Sequence, residues 1–179
     1  MKHGSSQQVW LSIGSNRGER TRNVQAVVNS LSQHPDLRLR AVSSVYETAP
    51  WGEIKQSAFY NAIVEIGTAL EPLELLNTVK LMERQLGREA GPRWGPRVID
   101  IDIVLWEDAV VDTTALTIPH LHFRERAFVL VPLCELAPKL IDPVSGATVE
   151  ALLAQVAGKD GVMRVETSLH IPSSIVTAE

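Results

Sequence analysis

The chain has 179 residues, 45% of them hydrophobic, one cysteine and a net charge of -4 at pH 7. That length suits one domain with its own core, and the apolar fraction excludes a disordered chain. The acidic balance argues against broad nucleic-acid binding, and a lone cysteine excludes an internal disulfide.

"VWLSIG" (9–14) alternates Val9, Leu11 and Ile13 and reads as a strand. "GSNRGE" then turns into a helix whose apolar face is Val24, Val27, Val28 and Leu31, and Pro35 stops it. A long strand follows, with Leu37, Leu39, Ala41, Ser43 and Val45 on one side. The polar loop 48–57 leads to a third strand, "FYNAIVEIG" (59–67). Pro72 opens a second helix with Leu75, Val79, Met82 and Leu86 on one face, and Gly87 closes it. The irregular loop "REAGPRWGPR" leads to a fourth strand, "VIDIDIVL". The order is β-α-β-β-α-β, the ferredoxin-like pattern of an α+β domain, with an antiparallel sheet carrying two helices on one face. Beyond it the sequence predicts a hairpin around Val110, helices near 124–131 and 148–156, and a short strand at 162–166.

The longest apolar run, "AFVLVPLCELA", is too short to span a bilayer and is broken by Pro132. Cys134 inside it reads as a small core residue. "MKHGSSQQ" has no apolar signal segment. The expectation is a soluble, cytoplasmic monomer without membrane or nucleic-acid partners. Residues 1–8 are then a disordered lead, 9–166 one domain and 167–179 a tail.

The fourth strand raises a chemical question. Asp100 and Asp102 point the same way, opposite to Ile99, Ile101, Ile103 and Leu105, which suffice to dock it. Asp is disfavoured in strands. Two carboxylates ~6.5 Å apart repel by about 2–3 kcal/mol at an effective dielectric of ~20. Mg²⁺ suits such a pair and leaves its other positions to water and phosphate. D-x-D alone is a common tripeptide that a wet strand face accounts for, but Arg88, Arg93 and Arg97 directly upstream add the forks of a phosphate clamp. Charge balance with Glu83, Glu89 and the aspartates is the plainer reading of those arginines. There is no Walker A sequence and no dinucleotide fingerprint.

"RWGPRVIDIDI", with "LSIGSN", "YETAPWG", "FYNA" and "IPH…RAFVLVPL", resembles the 6-hydroxymethyl-7,8-dihydropterin pyrophosphokinase family of folate biosynthesis over about residues 9–157. The resemblance implies a ferredoxin-like, three-layer αβα domain. It also implies ATP as co-substrate, two Mg²⁺ ions, and transfer of pyrophosphate to the pterin's hydroxymethyl oxygen with AMP leaving. Carried over, Asp100 and Asp102 ligate Mg²⁺, and Asp102 helps deprotonate the hydroxyl. Arg88 and Arg97 contact phosphates and stabilise the transition state. His120 and Arg126 match further ATP-phosphate contacts, and Glu83, Ile103 and Thr117 line the nucleotide. Phe59 and Phe128 sandwich the pterin and Asn61 reads its edge, which Thr48, Ala49 and Trp51 complete. Asp100 and Trp94 also reach that substrate. Loops 48–57 and 87–97 match mobile lids, with Trp51 and Trp94 as caps. The chain departs from the family at "EAGP", where extra basic residues are common, and at Ala115 and Leu121, where some members have Arg and Tyr.

Two other readings, one enzymatic and one not, stay open on the residues alone. One is a two-metal nucleotidyltransferase releasing free pyrophosphate. The other is a non-catalytic ferredoxin-like binding module whose D-x-D face is merely wet. RNA binding on the sheet is disfavoured by the acidic total.

Overall fold

The computed structural model describes residues 6–50, 56–89 and 96–172. Five strands form the sheet's backbone, in the order β5-β1-β4-β3-β8. They are β1 (Gln7–Ser15), β3 (Tyr46–Thr48), β4 (Phe59–Thr68), β5 (Asp100–Trp106) and β8 (Met163–Arg164). β2 (Leu37–Val42) pairs with β4 beside β3. Every pairing in the sheet is antiparallel. The fold is α+β, with a ferredoxin-like core.

Two helices cover one face, α1 (Arg20–Gln33) and α2 (Pro72–Gln85). Their apolar stripes, Val24, Val27, Val28 and Leu31 on α1 and Leu75, Val79 and Met82 on α2, are buried. They meet the alternate residues Val9, Leu11 and Ile13 of β1 and Ala62, Val64 and Ile66 of β4. Glu74 accepts the Glu71 N–H at 2.9 Å to close the start of α2, and Gly87 ends it with φ +93, a left-handed turn that glycine takes without a Cβ penalty.

The opposite face is divided. One end carries a second core of Trp10, Ile63, Val104 and Leu105 under α3 (Ala127–Leu136) and α4 (Val149–Gln155). The other end is left open by those helices and carries polar residues. A separate hairpin, β6 (Val111–Asp112) with β7 (Thr117–Ile118), follows β5. Among the described residues no helix is long and apolar enough to cross a membrane.

Four details differ from the sequence reading. β1 begins at Gln7, inside the segment read as a lead, and residues of the tail lie on α1, where His170 N–H donates to Gln25 at 2.9 Å. The long second strand is two strands. Ser43 interrupts it because its hydroxyl accepts the Ile63 N–H at 2.9 Å, and Glu135 takes the Ser44 N–H at 2.9 Å. Leu105 does not join Ile99, Ile101 and Ile103. The β1–β5 register shifts between Trp10 and Leu11, which turns Leu105 to the second core and Trp106 to the first. The helix predicted near 124–131 starts as a 3-10 turn, Phe123–Glu125, then runs as α3 through Pro132. Pro132 removes one helical N–H, and the buried Val129, Leu130 and Leu133 around it hold the helix together.

Candidate active site

The open end of the sheet forms a cavity of about 270 Å³. Its floor is read across three strands. Asp102 and Asp100 on β5 face Ser12 and Gly14 on β1, and Gly14 faces Asn61 on β4. Period two places Asp100, Asp102, Ser12, Gly14, Asn61 and Phe59 on one face.

Gly14 explains how the two halves of this floor meet. A Cβ there would come within 3.0 Å of Asn61 Oδ1 and 3.8 Å of the Phe59 ring. The amide of Asn61 therefore leans across β1 towards the acids, and a glycine inside a strand marks that close approach. The amide is also oriented from behind, since Asn61 Nδ2 donates to Thr48 Oγ1 at 2.7 Å. Phe59 and Phe128 both border the cavity and both keep part of their surface open. The Arg126 guanidinium carbon lies 5.6 Å from the centre of the Phe128 ring.

The acids are unequal. Asp100 is gripped on both oxygens, by Arg88 Nη1 at 2.6 Å and Arg97 Nη1 at 2.7 Å. Burial works to raise its pKa, but Arg97, Lys80 and Arg88 together outweigh that and hold it below the usual carboxylate range. Asp102 accepts no hydrogen bond among the described residues, and Lys80 Nζ stands 3.8 Å away. Burial, then the charge of Asp100, pushes its pKa up to about 6. Its side chain is still 34% exposed, so a ligand can reach the charge.

α2 fixes the peptide between them. β5 is an edge strand, so Ile101 turns an unpaired N–H and C=O outward. Glu83, only 2% exposed, accepts the Ile101 N–H at 2.6 Å, and Lys80 Nζ donates to the Ile101 carbonyl at 2.9 Å. Lys80 also bonds Glu83 at 2.8 Å, and Arg88 pairs with the other Glu83 oxygen. Burial raises the Glu83 pKa against the pull of Lys80. Burial opposes the Arg88 charge, yet Asp100 and Glu83 prevail and raise its pKa. Lys80, absent from the sequence reading, depends on α2 lying along the β5 edge.

On the far rim, His120 N–H donates to the Val104 carbonyl at 2.9 Å, beyond Asp102 on β5. Burial, then Arg126 and His122, lower the His120 pKa to about 4, so its ring is neutral at pH 7. Burial likewise lowers the Arg126 pKa.

Of the residues named from sequence, the cavity gathers Thr48, Ala49, Phe59, Asn61 and Phe128 on the aromatic side and Arg97, Asp100, Asp102, His120 and Arg126 on the charged side. Arg88 joins through Asp100. Three stand apart from the lining. Ile103 packs in the first core, Glu83 is spent on Ile101, Lys80 and Arg88, and Thr117 lies in the β6–β7 hairpin. Trp51 and Trp94 lie outside the described residues. Ser12, Gly14 and Gln56 were missed. A glycine at a strand position in "LSIGSN" was the available signal for one of them.

An acidic pair, a cluster of cations and an amide–aromatic pocket meet in one cleft of a ferredoxin-like sheet, an arrangement of the kind found in small-molecule-binding enzyme domains. Residues 10–138 match the family described as 7,8-dihydro-6-hydroxymethylpterin-pyrophosphokinase. A 2-amino-4-hydroxy-6-hydroxymethyldihydropteridine pyrophosphokinase of Methylorubrum extorquens is 44% identical over 89% of this chain and 99% of its own. The Pseudomonas aeruginosa protein of the same name is 40% identical over 83% of this chain and 91% of its own. A crystal structure of Plasmodium falciparum HPPK-DHPS shares the fold, with a TM-score of 0.70 at 15% identity, covering 86% of this chain and 45% of that one. The chain belongs to the 7,8-dihydro-6-hydroxymethylpterin-pyrophosphokinase family. It is an ATP-dependent diphosphotransferase of folate synthesis.

Proposed function

We propose that Asp100 and Asp102 are the Mg²⁺ ligands of the family's reaction, in which pyrophosphate passes from ATP to the hydroxymethyl group of 6-hydroxymethyl-7,8-dihydropterin. AMP and the pterin diphosphate are the products. The observation that carries this reading is the shared face of the acids, Asn61 and Phe59 around Gly14.

Support for Mg²⁺ comes from the donor set. Asp102 is a reachable carboxylate that accepts no hydrogen bond among the described residues and whose charge Asp100 opposes. Among the described residues no three His, Cys, Asp or Glu side chains are grouped so as to hold a metal ion between them. A pair of acids suits Mg²⁺, which keeps water and substrate phosphate in its remaining positions. When bound, the ion would neutralise phosphate charge and lower the pKa of the attacking hydroxyl.

The chain's own groups do the rest. Phe59 and Phe128 stack the flat pterin, while Asn61, held by Thr48, offers a donor and an acceptor to its edge. Arg88, Arg97, His120 and Arg126 hold the phosphates, the arginines by forked donors and His120 as a neutral ring. The hydroxymethyl oxygen attacks the β-phosphorus in line, AMP leaves, and Asp102 helps to take the hydroxyl proton. Positioning and charge stabilisation supply most of the acceleration. Asp102→Ala is expected to retain the unfolding transition and cut kcat by about a hundredfold or more, read as AMP formed from ATP, Mg²⁺ and the pterin. Near-normal turnover of that variant contradicts the role.

A further inference from the structure

Three acids, Glu83, Asp100 and Asp102, are interleaved with three cations, Lys80, Arg88 and Arg97, so the cluster is neutral without any ligand. Its connectivity is specific. Each oxygen of Asp100 already accepts a guanidinium N–H, from Arg88 on one side and Arg97 on the other. A divalent cation approaching Asp100 therefore meets two fixed positive charges at the same oxygens. A polyphosphate reverses the balance, because it offers those guanidiniums a better partner.

We propose that Arg88 and Arg97 are resident counter-ions of Asp100 that are handed from carboxylate to phosphate when a nucleoside triphosphate binds, so that the divalent cation is held tightly only together with the nucleotide. This rests on the reading of Asp100 as a metal ligand and of the arginines as phosphate contacts. Linkage makes the coupling mutual: the nucleotide raises affinity for the cation by the same factor as the cation raises affinity for the nucleotide.

The two arginines differ in what else they hold. Arg88 also neutralises buried Glu83, so its removal endangers the fold. Arg97 makes its salt bridge to Asp100, and its N–H to Asn16 is a backbone bond that survives side-chain replacement. Arg97→Met is therefore the informative variant. Arg97→Lys, which keeps the charge but loses the fork, serves as the second.

Mn²⁺ is titrated into wild type and both variants, alone and with α,β-methylene-ATP, and followed by calorimetry and by the paramagnetic signal of the free ion. Thermal unfolding verifies that each variant is folded. Without nucleotide, Arg97→Met should bind Mn²⁺ about tenfold tighter than wild type, and with the analogue it should bind weaker by a similar factor. Arg97→Lys should show both effects with smaller size. The opposite signs are the signature, since a merely structural role moves both affinities the same way. Same-direction changes, or an unchanged nucleotide-free affinity, overturn the handover. Asp100→Asn separates this from failure of the underlying reading. If that variant keeps full Mn²⁺ affinity in the analogue complex, Asp100 is not a ligand at all. If it loses that affinity while Arg97→Met is silent without nucleotide, only the handover fails.

Discussion

Asn16 and Arg97 are joined twice, through Asn16 N–H to the Arg97 carbonyl at 3.1 Å and Arg97 N–H to Asn16 Oδ1 at 2.8 Å. The same buried amide donates to Gln56 Oε1 at 2.9 Å and to the Ser57 carbonyl at 3.1 Å. One side chain at the end of β1 thus ties the chain entering β4 to the chain entering β5, and sets where Arg97 leaves the backbone. Asn16→Ala strands the Arg97 N–H and should cost about 1–3 kcal/mol of stability. Asn16→Asp keeps the acceptor for Arg97 while losing the donor to Gln56 and Ser57. Asn16→Asp should retain more activity than Asn16→Ala, as steady-state kinetics will show. Equal losses would place the importance of Asn16 on the Gln56 side.

Gly14→Ala tests the crossing of β1 by Asn61. The new Cβ would stand 3.0 Å from Asn61 Oδ1, and Thr48 restrains that amide from yielding. Pterin binding should weaken by about tenfold, the size of a modest steric mismatch. Binding of an ATP analogue should stay near wild type in the same calorimeter. Equal weakening of both ligands would mean that the sheet, not the pocket, has shifted.

The grip of α2 on Ile101 predicts a stability effect. Glu83→Ala leaves the Ile101 N–H without its acceptor and Lys80 and Arg88 without their shared carboxylate, at a cost of about 3 kcal/mol. Lys80→Met leaves the Ile101 carbonyl without its Lys80 donor and Glu83 with Arg88 still beside it, so it should cost less, about 1–2 kcal/mol. Urea unfolding measures both. A Glu83→Ala variant as stable as wild type would show that the β5 edge needs no such cap.

Tyr46 gives a pH-dependent prediction. Burial, then its hydrogen bond to Glu135 at 2.8 Å, pushes the phenol up to about 12. An unfolded tyrosine loses its proton near pH ~10. Between these values the folded chain holds a proton that the unfolded chain has released, so stability falls as pH rises through that window and is fully present below it. The chain has two tyrosines, so Tyr60→Phe leaves Tyr46 as the sole reporter of tyrosinate absorbance. A signal rising near pH ~10 with the fold intact would contradict the buried bond.

Much of this was legible without coordinates. Period-two alternation put Asp100 and Asp102 on one face, and helical spacing found the buried stripes of α1 and α2. What escaped was non-local. The displacement of Leu105 depends on a register shift against β1, and the break at Ser43 depends on a hydroxyl meeting a backbone N–H of β4. Nothing local to α2 marks Lys80, because the edge strand it serves lies 21 residues downstream. The resemblance assigns Glu83 and Ile103 to the nucleotide, and without nucleotide their side chains contact the β5 backbone and the first core, which periodicity alone does not reveal for Glu83.

The central claim is that the two β5 carboxylates hold the metal that accompanies ATP. Crystals grown with α,β-methylene-ATP and Mn²⁺ allow the anomalous scattering of manganese to locate the ion independently of any model. The account predicts an anomalous peak at ordinary ligand distance, about 2.0–2.2 Å, from carboxylate oxygens of both Asp100 and Asp102. Nucleotide in the cleft with manganese bound only to its phosphates, away from both aspartates, would contradict it.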